Sequence, residues 1–144
     1  MSHRMTHLER EAFLADLHVA VLGICAPNRG PLLMPIWYRY DPGAEIQFVT
    51  NKGAKKTKLL APGVRITVCV QNEDPPYQYV SVEGPITSIE VADHDLDFRP
   101  IAHRYLGIEK GDRYVENTLG DEELLIQMSP EKWSTADYNK ISHE

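Results

Sequence analysis

The sequence is short of cysteine, of positive charge and of long apolar runs. Only Cys25 and Cys69 occur in 144 residues, both in apolar, strand-like surroundings. That argues against a disulfide scaffold and predicts two buried thiols. The six histidines are scattered and none stands at ligand spacing from a cysteine, so no structural metal is expected. A formal net charge of -6 argues against a general nucleic-acid or membrane-surface binder, because phosphate-rich partners need a broadly basic face. No apolar run approaches the length that spans a bilayer, and Met1 to Glu11 lacks the apolar segment of a secretory signal. A cytoplasmic protein is expected. The glycine spacing and terminal Lys-Ser/Thr pair of a Walker phosphate loop are missing, which removes a nucleoside triphosphatase. No Ser-His-Asp or Cys-His arrangement can be defended from spacing.

With 42% apolar and 25% charged residues, the chain fits one globular domain over residues 1–144. Residues 1–5 are expected to be flexible, and 130–144 to form an extension that contacts a partner subunit. Thr6-His7-Leu8-Glu9 has the capping-box pattern and predicts a helix from His7 to Asp16. Two apolar runs, His18 to Ala26 and Leu32 to Tyr40, flank the turn Pro27-Asn28-Arg29-Gly30 and predict a hairpin. Further strands are predicted over Glu45 to Thr50, Val64 to Val70, Tyr77 to Val91 and Glu123 to Met128, with a last strand or extended tail over Lys132 to Tyr138. Asn51 to Ala61 reads as a short helix capped by Asn51 and ended by Pro62-Gly63. Asp95 to Leu106 and Asp112 to Leu119 read as helical, with Pro100 limiting the first half of the former. The pattern predicts a mainly β protein with α additions: a six- or seven-stranded antiparallel split or closed barrel with short peripheral helices.

The stretch Phe48 to Lys58 sets a strand end, a glycine and four lysines on eleven positions. In an acidic chain such a concentration predicts a local anion site, because ammonium groups supply the charge a phosphate loses on leaving water. Trp37, Tyr38, Tyr77, Tyr79 and Trp133 are candidates for an aromatic wall against a planar heterocycle. His103-Arg104-Tyr105 invites a general-acid assignment but reads better as structural. The acidic residues from Glu109 to Glu123 read as a solvated rim.

Five blocks carry a resemblance: Leu33-Met34-Pro35-Ile36-Trp37-Tyr38, then Phe48 to Lys58, Tyr79 to Gly84, His103 to Gly107, and Pro130-Glu131-Lys132-Trp133. In this order they resemble the pyridoxamine 5'-phosphate oxidase-like split β-barrel proteins, FMN-binding oxidases and reductases that use the deazaflavin coenzyme F-420. The resemblance implies phosphate contacts from Thr50, Lys55 and Lys56, and after them Lys58, with Asn51 in the same cofactor-binding turn, and ring contacts from Pro35, Trp37, Tyr38 and Tyr79, with Trp133 contributed by a second subunit. It implies a homodimer with cofactor sites at the interface, binding F-420 as first choice or FMN, and passing hydride to a small or planar organic acceptor. Leu33 and Tyr38 stand where the oxidases carry basic residues, and Ala54 where a serine is usual, which favours the deazaflavin branch over pyridoxamine phosphate oxidation. The competing expectation is a non-catalytic carrier of a flavin, a deazaflavin or a haem, for which His18, His94 and His103 are the internal candidate ligands.

Overall fold

Thr6 opens the first helix, α1 (His7–Ala15), through a reciprocal pair. Its hydroxyl accepts from the Glu9 N–H at 3.2 Å, and the Glu9 carboxylate accepts from the Thr6 N–H at 2.8 Å. In this computed structural model, which describes residues 2–141, seven strands follow. They are β1 (Ala20–Ile24), β2 (Leu32–Ile36), β3 (Ile46–Asn51), β4 (Arg65–Gln71), β5 (Gln78–Val91), β6 (Glu123–Met128) and β7 (Lys132–Asp137). All pairings are antiparallel, in the order β2-β1-β4-β5-β6-β3, with β7 alongside the first half of β5.

The two ends of that order meet. Just beyond β2, Arg39 pairs with Gln47 of β3, each N–H donating to the other's carbonyl at 2.9 and 3.0 Å. The sheet therefore curls until its edges touch at one bridge, and on the other side of that bridge β2 and β3 diverge. The molecule is a split β-barrel. β5 is long enough to serve both halves: Gln78 to Glu83 pairs with β7, Arg65 to Gln71 of β4 covers Tyr79 to Pro85, and Ile86 to Val91 pairs with β6 across a register shift between Ile86 and Ser88.

The barrel fills with the inward side of each strand: Leu22 and Ile24, Ile46 and Phe48, Ile66, Val68 and Val70, Val80 and Val82, Ile126 and Met128. Leu14 of α1 closes one end of this core. Gly84 lets the backbone of Ser129 cross directly over β5, since a Cβ at Gly84 would sit 1.6 Å from the Ser129 carbonyl oxygen.

Three differences from the sequence reading have physical reasons. Asn51 does not cap a helix. It ends β3, and its side-chain oxygen accepts from the Gly53 N–H at 2.8 Å in a local turn; the helix that follows is a single 3-10 stretch, Lys55–Leu59, with Ala54 before it. The Asp95 to Leu106 segment starts one residue earlier as a π-type turn, His94–Phe98, and becomes α2 (Arg99–Leu106), where Pro100 falls in the first turn that tolerates it. Gly107, with φ of 83°, then turns the chain into α3 (Ile108–Glu116). Cys25 is exposed just past the end of β1, and Cys69 is half-buried, so the thiols are not both core.

Residues 3–5 do not trail free. The Met5 N–H donates to the Thr135 hydroxyl at 3.0 Å, the His3 carbonyl accepts from the Asp137 N–H at 2.7 Å, and the Met5 side chain is buried. β7 pairs with β5 in the chain's own sheet, and residues 142–144 lie outside the described residues.

Replacing Gly84 by Ala should destabilise the fold by about 1–3 kcal/mol or more, because backbone on both sides of the contact would have to move. Chemical denaturation of the variant checks this; a midpoint equal to that of the parent chain would show that β5 and the 128–130 turn do not cross as tightly as described.

Candidate functional site

The gap where β2 and β3 part is a cleft of about 500 Å³. β2 and its continuation supply Pro35, Ile36 and Trp37; β3 supplies Val49, Thr50 and Asn51; the turn after it supplies Ala54 and Lys56. Helices α2 and α3 roof the gap with Ile101 and Tyr114, and Phe98 just before α2 joins them. Asp121 and Glu123 close the end next to Asn51, to which Glu123 is paired in register.

One end is aromatic. Trp37 stacks on Tyr105 at 5.1 Å with ring planes 6° apart and meets Tyr114 at 5.3 Å, while Phe98 stands edge-on to Tyr114 at 5.8 Å. Tyr105 is held by its hydroxyl, which donates to the His18 carbonyl at 2.6 Å and accepts from the Tyr38 N–H at 3.2 Å. A side chain thus takes the backbone hydrogen bond that strand pairing would otherwise give Tyr38 at the open seam.

The other end is polar and tightly confined. Thr50 is 3% exposed, and its hydroxyl is buried with no hydrogen-bond partner among the described residues. The unmet capacity of a buried hydroxyl costs free energy unless a ligand or water supplies the partner. Lys56 is half-buried, and burial pushes its ammonium below the ordinary lysine value while Glu123 opposes that shift. Burial pushes the Glu123 carboxyl up; Asp121 adds to the rise, and Asn51, His94 and Lys56 oppose it. Both ionisable groups are therefore biased towards their neutral forms.

The expected site residues divide in four. Pro35, Trp37, Thr50, Asn51 and Lys56 come together in this cleft. Lys55 and Lys58 are exposed on the same turn but outside the lining, and Lys52 is engaged with Glu122 at 3.2 Å. Tyr38 is in the core: it has no exposure, and its hydroxyl donates to the Leu14 carbonyl at 2.5 Å, so its side chain cannot face a ligand. Burial raises the Tyr38 phenol well above its ordinary value. Tyr79 and Trp133 line a different cleft, beside the N-terminal segment, and are not among the residues of the seam cleft.

Glu123, Asp121, Tyr114, Thr118 and Phe98 are lining residues the sequence reading passed over. For Glu123 no local signal existed. It shares a face of β6 with Leu125, opposite the core-facing Ile126 and Met128, and the residues roofing the cleft bury that outer face instead of leaving it a solvated rim. His103 is structural: its Nε2 is 2.5 Å from Asp112, which also accepts from Arg99 at 2.8 Å, so the three side chains staple α2 to α3. Gly111 allows that approach, since a Cβ there would come within 3.0 Å of the α2 backbone.

Glu123 makes a pH-dependent contribution. Folded, its carboxyl keeps its proton to higher pH than the ordinary value of 4.5, so the associated stability is complete below that value and is lost as pH rises through the higher folded one. Glu123→Gln should therefore raise the free energy of unfolding at pH 7 to 8 by on the order of 1 kcal/mol, and the gain should vanish by pH 4. A gain independent of pH in calorimetry would remove the buried-carboxyl account.

No protein-family model matches the chain, and no curated protein matches it in sequence. Solved structures do. A conserved hypothetical protein from Mycobacterium tuberculosis superposes with a TM-score of 0.77 at 20% identity, over 100% of this chain and 94% of that one. An F-420 reductase gives 0.68 at 19% identity, over 86% and 94%. A putative pyridoxamine 5'-phosphate oxidase from Listeria innocua gives 0.63 at 16% identity, over 90% and 96%. These likenesses show the fold.

Proposed function

We propose that this chain, which shares the split β-barrel fold of the pyridoxamine 5'-phosphate oxidase-like proteins, binds the deazaflavin coenzyme F-420, or FMN, in the seam cleft and uses it as an oxidoreductase. The observation that carries the proposal is the pairing, in one cleft, of an unpartnered buried Thr50 hydroxyl beside Lys56 with an aromatic wall headed by Trp37. A ring joined to a phosphate by a short polar chain matches that sequence of surfaces, and the volume lies within the ordinary range for such ligands.

In this reading the Thr50 hydroxyl donates to a phosphate oxygen, and the Lys56 ammonium supplies the charge-assisted contact. Asn51 shapes the turn that presents Lys56, through its bond to the Gly53 N–H. Lys55 and Lys58 add to the field from outside the lining without direct contact. Pro35 and Trp37 flank the ring; Val49, Phe98 and Ile101 keep water from it. The bound group would supply hydride transfer to a small or planar organic acceptor. What the chain adds is alignment and exclusion of water, which such a transfer needs more than a dedicated acid.

The deazaflavin is the first choice because the strand beside the ring carries no basic side chain at its ends. Leu33 is exposed and Tyr38 is core; Arg39, next in the chain, is engaged with Gln47 and with Asp97 at 3.0 Å, and Arg104 is committed to the carbonyls of Ala15 and Asp16 at 3.0 and 2.6 Å. A flavin oxidase gains from positive charge near the reduced ring, and that charge is not provided here.

We further propose a homodimer. Val19, Val21 and Leu33 are exposed on the outer side of β1 and β2 and run directly into the cleft at Val19 and Pro35. A second copy laid on this strip would cover it and bring Tyr79 and Trp133 of that copy towards the ring. Leu33→Asp should shift the chain to a monomer in sedimentation; a monomeric parent chain would end this part of the reading.

The cofactor assignment is tested by titrating the purified chain in parallel with FMN and F-420, following tryptophan quenching. Lys56→Ala should weaken the preferred cofactor about tenfold or more, as loss of a charge-assisted contact does. Affinity should also fall as pH rises through the elevated pKa of Glu123, which places a carboxylate beside the phosphate. Unchanged affinity in Lys56→Ala would move the ligand out of this cleft.

A further inference from the structure

The polar end of the seam cleft is not built as a nest of backbone donors. The turn after β3 folds its amides onto itself and its neighbour. The Lys52 N–H donates to the Glu122 carbonyl at 3.0 Å, the Gly53 N–H to the Asn51 side chain at 2.8 Å, and the Ala54 N–H to the Asn51 carbonyl at 3.1 Å. These three successive donors are spent, so they cannot enclose an anion between them. Side chains have to meet it instead. Thr50 brings its buried hydroxyl, which has no partner among the described residues, and Lys56 brings one ammonium group. The Thr118 hydroxyl, also in the wall, is already donated to the Val115 carbonyl at 2.8 Å.

The same end carries two carboxyl side chains, Asp121 and Glu123. Among the described residues neither is in an ion pair. Lys52, which might have balanced them, is paired with Glu122, and Lys55 and Lys58 stand outside the lining. Lys56, Asp121 and His94 all act on the Glu123 carboxyl through space, and of these His94 is not in the cleft wall. The lining therefore sets one cation against two carboxyl groups.

That balance distinguishes kinds of phosphate. A terminal phosphomonoester carries about -1.5 to -2 charges at neutral pH, whereas a phosphodiester carries one. A single ammonium matches the diester. The second charge of a monoester would be left facing Asp121 and Glu123 in a confined space, where repulsion between like charges is poorly screened.

We propose that the seam cleft selects a ligand whose phosphate is a diester, with Asp121 and Glu123 as the residues that turn a terminal phosphomonoester away. The inference rests on the reading of the seam as the cofactor site and narrows it. A diester-linked ring compound continues beyond its phosphate, whereas FMN ends there. Selectivity comes from repulsion of the wrong ligand as much as from attraction of the right one.

The test is calorimetric titration at pH 8 with two pairs of ligands: FMN and its methyl phosphodiester, and the deazaflavin 5'-phosphate and its methyl phosphodiester. Within a pair the ring and the ribityl chain are the same. For the ring the cleft prefers, the diester should bind about tenfold tighter than the monoester or more. Glu123→Gln, and separately Asp121→Asn at an exposed position, should raise monoester affinity several-fold and leave the diester nearly unchanged. A purely structural role would move both members of a pair alike. Lys56→Ala should weaken both. A monoester that binds as tightly as its diester, or a ratio unchanged in both carboxyl variants, would overturn the selectivity, while loss of affinity in Lys56→Ala would leave the seam assignment standing. Binding of no ligand in either pair, or affinities indifferent to Lys56→Ala, would overturn the seam reading and this inference with it.

Discussion

The Arg39–Gln47 bridge is the contact on which the architecture turns. A six-strand path has two free edges, β2 and β3, and a pair of reciprocal backbone hydrogen bonds joins them at one point only. Behind the join the barrel is filled with buried apolar side chains; towards Pro35 and Thr50 the edges separate and leave a cleft lined by Pro35, Trp37, Thr50 and Lys56. A complete set of pairings between β2 and β3 would have filled that space with backbone. The candidate site exists because the sheet does not finish closing.

That gap has to be maintained against two costs: exposed backbone on the diverging edges and apolar surface open to water. The region from His94 to Glu116 answers both. α2 and α3 lay Phe98, Ile101 and Tyr114 over the opening, and the Tyr105 hydroxyl satisfies the Tyr38 N–H. The Arg99–Asp112–His103 staple and Gly111 keep the two helices together as one lid-like unit. The roof is thus a packed structure with its own small core of Phe98, Ala102 and Val115.

Much of this was legible in the residues. The capping box named the first helix, the Pro27 to Gly30 turn named the hairpin, and β-branched runs marked β4 and β5, because each signal is local. The seam cleft was legible in part: the lysine turn pointed to one wall, and Trp37 to the other. What failed was parity. Trp37 and Tyr38 are neighbours in an extended segment, so their side chains point to opposite faces, and only one could line the cleft. Glu123, in a run that reads as surface acid, lies on the outer face of β6 and is buried by the chain that roofs the cleft, a long-range cover that no local pattern encodes. Asn51 was misread because an asparagine at a strand end can close its own turn as readily as it can cap a helix. Tyr79 was placed at the ring and Trp133 in a second subunit from resemblance; within one chain both lie away from the seam because β7 runs along the opposite half of β5, a long-range pairing that no local pattern encodes.

The Tyr105 hydroxyl also guards the sheet against foreign strands. An interrupted edge with a free N–H is the kind of template on which another extended chain can pair and propagate, and natural sheets blunt such edges with charge, bulges or covering segments. Here the blunting agent is one phenol oxygen anchored to His18. An opening wide enough to admit a ligand is thereby kept unsuited to a β-strand, and access for small molecules is separated from the hazard of self-association along the edge.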